Sequence, residues 1–140
     1  MHQRYFTLDE AQELLPQIQP LLEEVKELKR RVDARISTWR HNPAFSIADE
    51  ALARGQVEFL MGEINARLES VCRHGCLPKD LDMGLVDFPS RQSDGTEIYL
   101  CWRLGESDIS HWHRVTEGFS ARRPLPSSIP FFRSLYSSLR

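Results

Sequence analysis

The side chains best suited to chemistry in this 140-residue chain are concentrated between Cys101 and Arg123. That stretch opens with Cys-Trp-Arg-Leu-Gly-Glu at 101–106 and continues through His111-Trp112-His113 to Arg122-Arg123. Thiol, imidazole and carboxylate groups can bind a metal ion, and arginines can bind an anion. The sequence therefore places a candidate site here, although it contains no complete signature of any reaction.

Glu106 and His113 are the candidate metal ligands, with His111 or Cys101 as a third. Zinc and similar divalent ions accept such mixed oxygen, nitrogen and sulfur ligands. The chain has neither an HExxH motif nor a paired CxxC motif, so the spacing also fits residues that only cap and pack a junction. Cys101 as a nucleophile would need His113 as its base. Its place between two apolar residues favours a half-buried structural cysteine instead.

Arg103 and Arg122 are the candidate ligands for a small anion. Arginines more often pair with nearby acids, and three acids are available in Asp80, Asp82 and Asp87. These acids could suggest a hard cation, but they lack the order of a calcium-binding loop. We therefore predict that they lie in a solvated turn.

The strand predicted at 96–104 divides these residues between two faces. It forms a hairpin with a short strand at 84–89 through a turn that ends in Asp94-Gly95. Alternation places Ile98, Leu100, Trp102 and Leu104 on the core face, and Glu97, Tyr99, Cys101 and Arg103 on the candidate site face. A Ser107-Asp108 cap predicts a short helix through His113. A terminal helix is predicted from Phe131 to Leu139.

Two long helices precede this region. The first begins at a capping box of Thr7 and Glu10 and runs to about Trp39, and Pro16 and Pro20 predict a break or kink within it. The second begins between residues 46 and 49 and ends at 73, before His74-Gly75. Joined by a short connection, the helices should pack antiparallel. A small β module cannot cover their whole apolar stripe, which predicts a homodimer through the long helices, like a coiled coil.

Composition limits the classes of function. The net charge is −2, from 18 Lys+Arg and 20 Asp+Glu, so the basic surface of a nucleic-acid-binding protein is missing. No apolar run suits a membrane span or a signal peptide. Three cysteines, an odd number, suit reduced thiols. These features predict a cytoplasmic single domain over 1–140, with a helical hairpin at 7–74, a β region at 77–125 and a C-terminal extension at 126–140.

At these motifs the chain resembles the bacterial family called domain of unknown function 2203. The resemblance covers roughly residues 4–125 and rests on three motifs: Tyr5 to Ala11 with Leu14-Leu15-Pro16, Lys79 to Asp82 with Gly84 to Pro89, and Cys101 to Glu106 with Ile109, Trp112-His113, Gly118-Phe119 and Arg122. It implies an architecture and one shared site near Glu106, Trp112, His113 and Arg122, but no reaction. His111 falls where the family more often has an aromatic residue, which weakens a metal site of two histidines.

We therefore predict an α+β fold, with a long antiparallel helical hairpin, a small antiparallel β-hairpin module and short C-terminal helices. The predicted function is the binding of a divalent metal such as zinc, or of a small anionic ligand. Its site residues are Glu106 and His113 for the metal, and Cys101, Arg103, Trp112 and Arg122 for the ligand. If the site is catalytic, Glu106 or His113 is the general base. The alternative is a helical-hairpin interaction or scaffold protein, in which the motif only fastens the β module to the helices.

Overall fold

A computed structural model describes residues 4–126 of the chain. Two long helices pack against each other, α1 over Leu8–Arg40 and α2 over Ile47–Arg73. Five strands follow in chain order: β1 Leu77–Asp80, β2 Leu85–Arg91, β3 Glu97–Arg103, β4 His111–Arg114 and β5 Arg123–Pro124. They form one antiparallel sheet in the order β1-β2-β3-β4-β5. The predicted α+β class with a helical hairpin is confirmed.

Helix α1 begins at the predicted capping box of Thr7 and Glu10, and α2 begins within the predicted range of 46–49. The Thr7 hydroxyl accepts a hydrogen bond from the Glu10 N–H at 3.1 Å, and the Glu10 carboxylate accepts one from the Thr7 N–H at 2.8 Å. Ser46 and Asp49 form the same reciprocal pair at the start of α2, with both distances 3.1 Å. Each pair satisfies N–H groups that the first turn of a helix leaves free. Among the described helices, none is long and apolar enough to cross a membrane.

Of the break or kink predicted at Pro16 and Pro20, the break is wrong, because α1 is one continuous helix. The two prolines are four residues apart and both are exposed, so they lie on one solvent-facing side of the helix. Water can hydrogen-bond to the carbonyls that lose their partners there. On the other side Leu14, Leu15 and Ile18 are buried in the core, and this packing holds the helix together through both positions.

The short helix predicted through His113 is also wrong, because residues 111–114 form strand β4. His111 lies opposite Cys101, and Trp112 lies opposite Leu100. A helix of about seven residues is marginal by itself, whereas pairing with β3 supplies the backbone hydrogen bonds. Beyond β4 the only helical segment of the described chain is a 3₁₀ turn at Phe119–Ala121. The terminal helix predicted from Phe131 lies outside the described residues.

The apolar side chains form two clusters along the hairpin. One joins the first half of α1 to the sheet, and its largest members from β2 and β3 are fully buried: Phe88, Ile98, Leu100 and Trp102. The predicted core face of β3 is thereby confirmed. The second cluster lies between the two helices, with Leu81 of the β1–β2 turn packed against it, and includes Val25, Val32, Leu60 and Ile64. Because the sheet packs only against the first half of α1, the far half of the hairpin has a two-helix core.

Gly84 allows β2 and β3 to meet at the open end of their hairpin. Its φ is +66°, and an added Cβ would lie 2.5 Å from the Cβ of Leu104. We expect Gly84→Ala to lower the free energy of unfolding by about 2–3 kcal/mol, from backbone strain plus overpacking. Gly118→Ala is the control, since its φ is −119° and a Cβ there has open space. It should change stability by less than about 0.5 kcal/mol in urea denaturation. Equal effects would contradict the steric explanation.

Candidate metal centre

The strand register gathers polar side chains on the sheet face opposite the helices. Cys101 in β3 lies between Asp87 in β2 and His111 in β4, and His113 lies opposite Tyr99. Directly opposed residues in an antiparallel sheet project to the same face. Cys101 and its neighbours therefore share the face that the sequence indicated for a site.

Asp87, Cys101 and His113 form a compact group on this face. One carboxylate oxygen, the thiol sulfur and one imidazole nitrogen lie within 4.8 Å of one another. The exposed fractions of the three residues are 2%, 0% and 2%. The solvated turn predicted for Asp87 is therefore wrong, since it lies within a fully buried run of β2. Asp80 does act as a turn residue, with its carboxylate accepting the Met83 N–H at 2.9 Å.

Hydrogen bonds fix the orientation and the protons of the group. The Nδ1 of His113 lies 2.8 Å from the Arg114 carbonyl. A carbonyl only accepts, so Nδ1 must carry a proton. Nε2 lies 3.0 Å from Oδ1 of Asp87, and that contact requires one further proton between the two groups. The Cys101 sulfur lies within 4.8 Å of both the Asp87 carboxylate and the imidazole. Nε2 is thus the imidazole nitrogen that faces the acid.

Burial governs the acid–base properties of the group. It raises the pKa of Asp87, against the opposing charges of His113 and Lys79. It also raises the pKa of Cys101 to about 12, and the nearby Asp87 charge adds to the effect. The thiol is therefore protonated at neutral pH and is a poor nucleophile. This agrees with the interpretation of Cys101 as structural rather than nucleophilic.

Glu106 and Arg122 form a second polar group beside the first. Both carboxylate oxygens of Glu106 lie 2.9 Å from Nη2 of Arg122. The carboxylate also accepts the backbone N–H of Arg103 at 2.7 Å and lies 3.8 Å from Nδ1 of His111. Arg122 in turn donates to the carbonyl of Cys101 at 3.4 Å. The ion pair therefore borders the buried group through the backbone of β3.

The structure separates the two residues predicted as metal ligands. The His113 side chain contacts Asp87, whereas the Glu106 carboxylate is held by Arg122. Their pairing on one ion therefore has no support from the geometry. The residue that takes the place of Glu106 beside His113 is Asp87. The sequence signal for Asp87 was its position between Val86 and Phe88, since a carboxylate within an apolar strand needs a buried partner.

The remaining residues predicted as ligands lie around this face or behind it. Arg103 is exposed, and its guanidinium carbon lies 5.9 Å from the centre of the Phe119 ring. Trp112 belongs to the other face and packs against the main core cluster. The Arg123 guanidinium lies 5.1 Å above its ring. Neither Arg103 nor Trp112 reaches the buried group of Asp87, Cys101 and His113.

Comparisons with known proteins give a family match. A family model described as "Uncharacterized conserved protein (DUF2203)" matches residues 4–125. The comparisons with curated proteins and with solved structures found no match. The family description carries no activity, and the function is therefore inferred from the residues of the site.

Proposed function

We propose that this chain, which belongs to the DUF2203 family, binds one divalent transition-metal ion, with zinc as the best-suited ion, through Asp87, Cys101 and His113. The observation that carries the proposal is the approach of three different ligand atoms to within 4.8 Å in a buried site. Mixed oxygen, sulfur and nitrogen ligands are typical of zinc. Magnesium and calcium, by contrast, take six or more oxygen ligands.

The imidazole of His113 is already oriented to bind a metal ion. Histidines that bind metals usually donate their other ring N–H to a carbonyl or carboxylate, which fixes the ring and its tautomer. In His113 the Arg114 carbonyl already holds Nδ1 at 2.8 Å. This leaves Nε2, the nitrogen on the side of Asp87, as the ligand atom. The histidine therefore needs no rotation to bind an ion.

The charge of the three side chains also suits a divalent ion. With a carboxylate, a thiolate and a neutral imidazole, the three side chains carry a charge of −2, which a divalent ion cancels. A neutral centre avoids most of the free-energy cost of placing charge in a buried site. Tetrahedral zinc brings its ligand atoms to about 3.3–3.7 Å from one another. Since the ligand atoms of the group lie within 4.8 Å of one another, none of their separations has to shorten by more than about 1.5 Å.

A small anionic ligand has less support. Arg122 is already bound through Nη2 to both oxygens of Glu106, so an anion would have to displace that carboxylate. Arg103 is exposed, and its guanidinium lies against the Phe119 ring instead. The scaffold alternative is supported by the hydrogen bonds that join His113 to Asp87 and to the Arg114 carbonyl without any ion. The two functions differ in whether the purified protein binds a metal stoichiometrically.

The test is a titration of the metal-free protein with Zn²⁺, with proton release measured at pH 7.5 in weak buffer. We expect one ion per chain and about two protons per ion, because binding displaces the thiol proton and the proton between His113 and Asp87. The Cys101 pKa of about 12 lies far above this pH. The apparent affinity should therefore rise with pH, by up to about 100-fold per unit for two protons. No binding, or binding without proton release, would refute the proposal.

A further inference from the structure

Helix α2 has a second apolar face that the hairpin leaves uncovered. One face packs on α1 through buried residues that include Ala53, Leu60 and Ile64. The other, here called the outer face, has alternating steps of four and three residues: Ala48, Leu52, Gly55, Phe59, Gly62 and Ala66. All six are exposed, Leu52 by 65% and Phe59 by 68%. Such spacing is the seam of a coiled coil.

The two glycines of the outer face have no function within their own chain. Glycine is unfavourable inside a helix, yet a Cβ added at Gly55 or Gly62 would meet no atom within 4 Å. Neither glycine has a positive φ. Small residues at such positions let another helix approach closely. Their presence beside two large exposed side chains indicates a surface of alternating knobs and hollows.

We infer that the outer face binds the outer face of a second copy of this chain, with the two α2 helices antiparallel about a two-fold axis at the level of Val57. This register places Phe59 on Gly55 of the second copy and Leu52 on Gly62 of the second copy. Each large side chain then fills the hollow above a glycine. A parallel pair would instead set Phe59 against Phe59 and glycine against glycine. Only the antiparallel pair is self-complementary in shape.

The charges beside the outer face fit the same arrangement. The antiparallel register sets Arg54, which pairs with Glu50 of its own chain at 3.2 Å, near Glu58 of the second copy, twice by symmetry. Glu58 has no ion-pair partner within the described part of its own chain. The outer face also borders a groove of about 760 Å³, which Arg31 and Arg35 line together with Leu52 and Phe59. Glu63 of the second copy, which pairs with Arg67 of its own chain at 3.4 Å, would lie at the level of Ala51, which lines the same groove.

The test is the mass of the full-length protein in solution at micromolar concentration, by sedimentation or light scattering. We expect twice the chain mass of 16.3 kDa, and a monomer for Phe59→Arg. Met61→Arg is the matched control, because Met61 is 44% exposed on the same helix but lies off the outer face; it should stay dimeric. Gly62→Leu should keep or raise the helix content and still weaken the dimer at least tenfold, since it fills a hollow.

A pair of spin labels tests the direction of the helices. A label on the exposed native Cys72 should give a distance between copies of at least about 45 Å, from fifteen residues at 1.5 Å on each side of the axis. A label at Glu58→Cys, in a Cys72→Ser background, should give less than about 20 Å. Short distances at both positions would overturn the antiparallel arrangement. A monomeric unmodified chain would overturn the dimer. The outer face would then have to be covered by residues 127–140 or by a different protein.

Discussion

Cys101→Ser is expected to bind Zn²⁺ more than about 100-fold more weakly than the unmodified protein, and to lose the near-ultraviolet sulfur-to-metal absorption of the Co²⁺ form. The reason is that Cys101 supplies the only sulfur of the Asp87–Cys101–His113 group. Loss of a partner that merely orients a ligand costs about 10–100-fold in affinity, so loss of the ligand itself should cost more. Competition with a chromogenic chelator measures the affinity, and absorption spectra of the Co²⁺ form report the bond.

Cys76→Ser is the matched control for this variant. Cys76 is also fully buried, and burial raises its pKa to about 12 as well. It does not belong to the metal-ligand group found among the described residues. Its replacement should therefore leave both the affinity and the Co²⁺ absorption unchanged. Equal losses for the two variants would show that the effect comes from a damaged core, and no loss for Cys101→Ser would exclude that residue as a ligand.

Asp87→Ala is expected to destabilise the metal-free protein by about 3–5 kcal/mol. Removal of one partner from a buried pair leaves the other without its hydrogen bond and out of reach of water. Here the stranded partner is His113, which is 2% exposed and 3.0 Å from Asp87. Urea denaturation of the chelator-treated protein gives the free energy of unfolding.

A double-mutant cycle separates this pair from general damage to the sheet. The variant with both Asp87→Ala and His113→Ala should be more stable than the sum of the single effects predicts, by about 1–3 kcal/mol. Asp82→Ala is the control, since its carboxylate pairs with Lys29 at 2.8 Å while its side chain is 76% exposed. It should cost no more than about 1 kcal/mol. Additive effects of the two buried substitutions would contradict the shared proton between Asp87 and His113.

The elements with local signals could be predicted from the sequence. The capping boxes at Thr7 and Ser46 satisfy N–H groups through residues three positions apart, so they are visible in the chain itself. The glycine turn at residues 92–95 likewise fixes the β2–β3 hairpin. The turn places Arg91 opposite Glu97. Counting along both strands from that pair places Asp87 opposite Cys101. The local turn therefore indicates this contact.

The remaining features depend on contacts between distant segments. Strand β4 follows a connection at residues 104–110 that has no hairpin signal, so nothing local shows that His113 joins the sheet opposite Tyr99. The Ser107-Asp108 sequence suggested a helix there because caps are local and strand pairing is not. Continuity through Pro16 and Pro20 likewise depends on which side of α1 the core covers. The sequence therefore singled out Cys101 and His113, which lie in the proposed centre, but it paired His113 with Glu106, whereas the structure brings Asp87 beside it.

The most direct test of the proposed centre is X-ray absorption at the zinc edge of the Zn²⁺-loaded full-length protein. We expect one sulfur scatterer at about 2.3 Å, and nitrogen or oxygen scatterers at about 2.0–2.2 Å that include one imidazole. That first shell matches Cys101, His113 and Asp87. A first shell of nitrogen and oxygen alone would place the ion elsewhere and contradict the assignment of this centre.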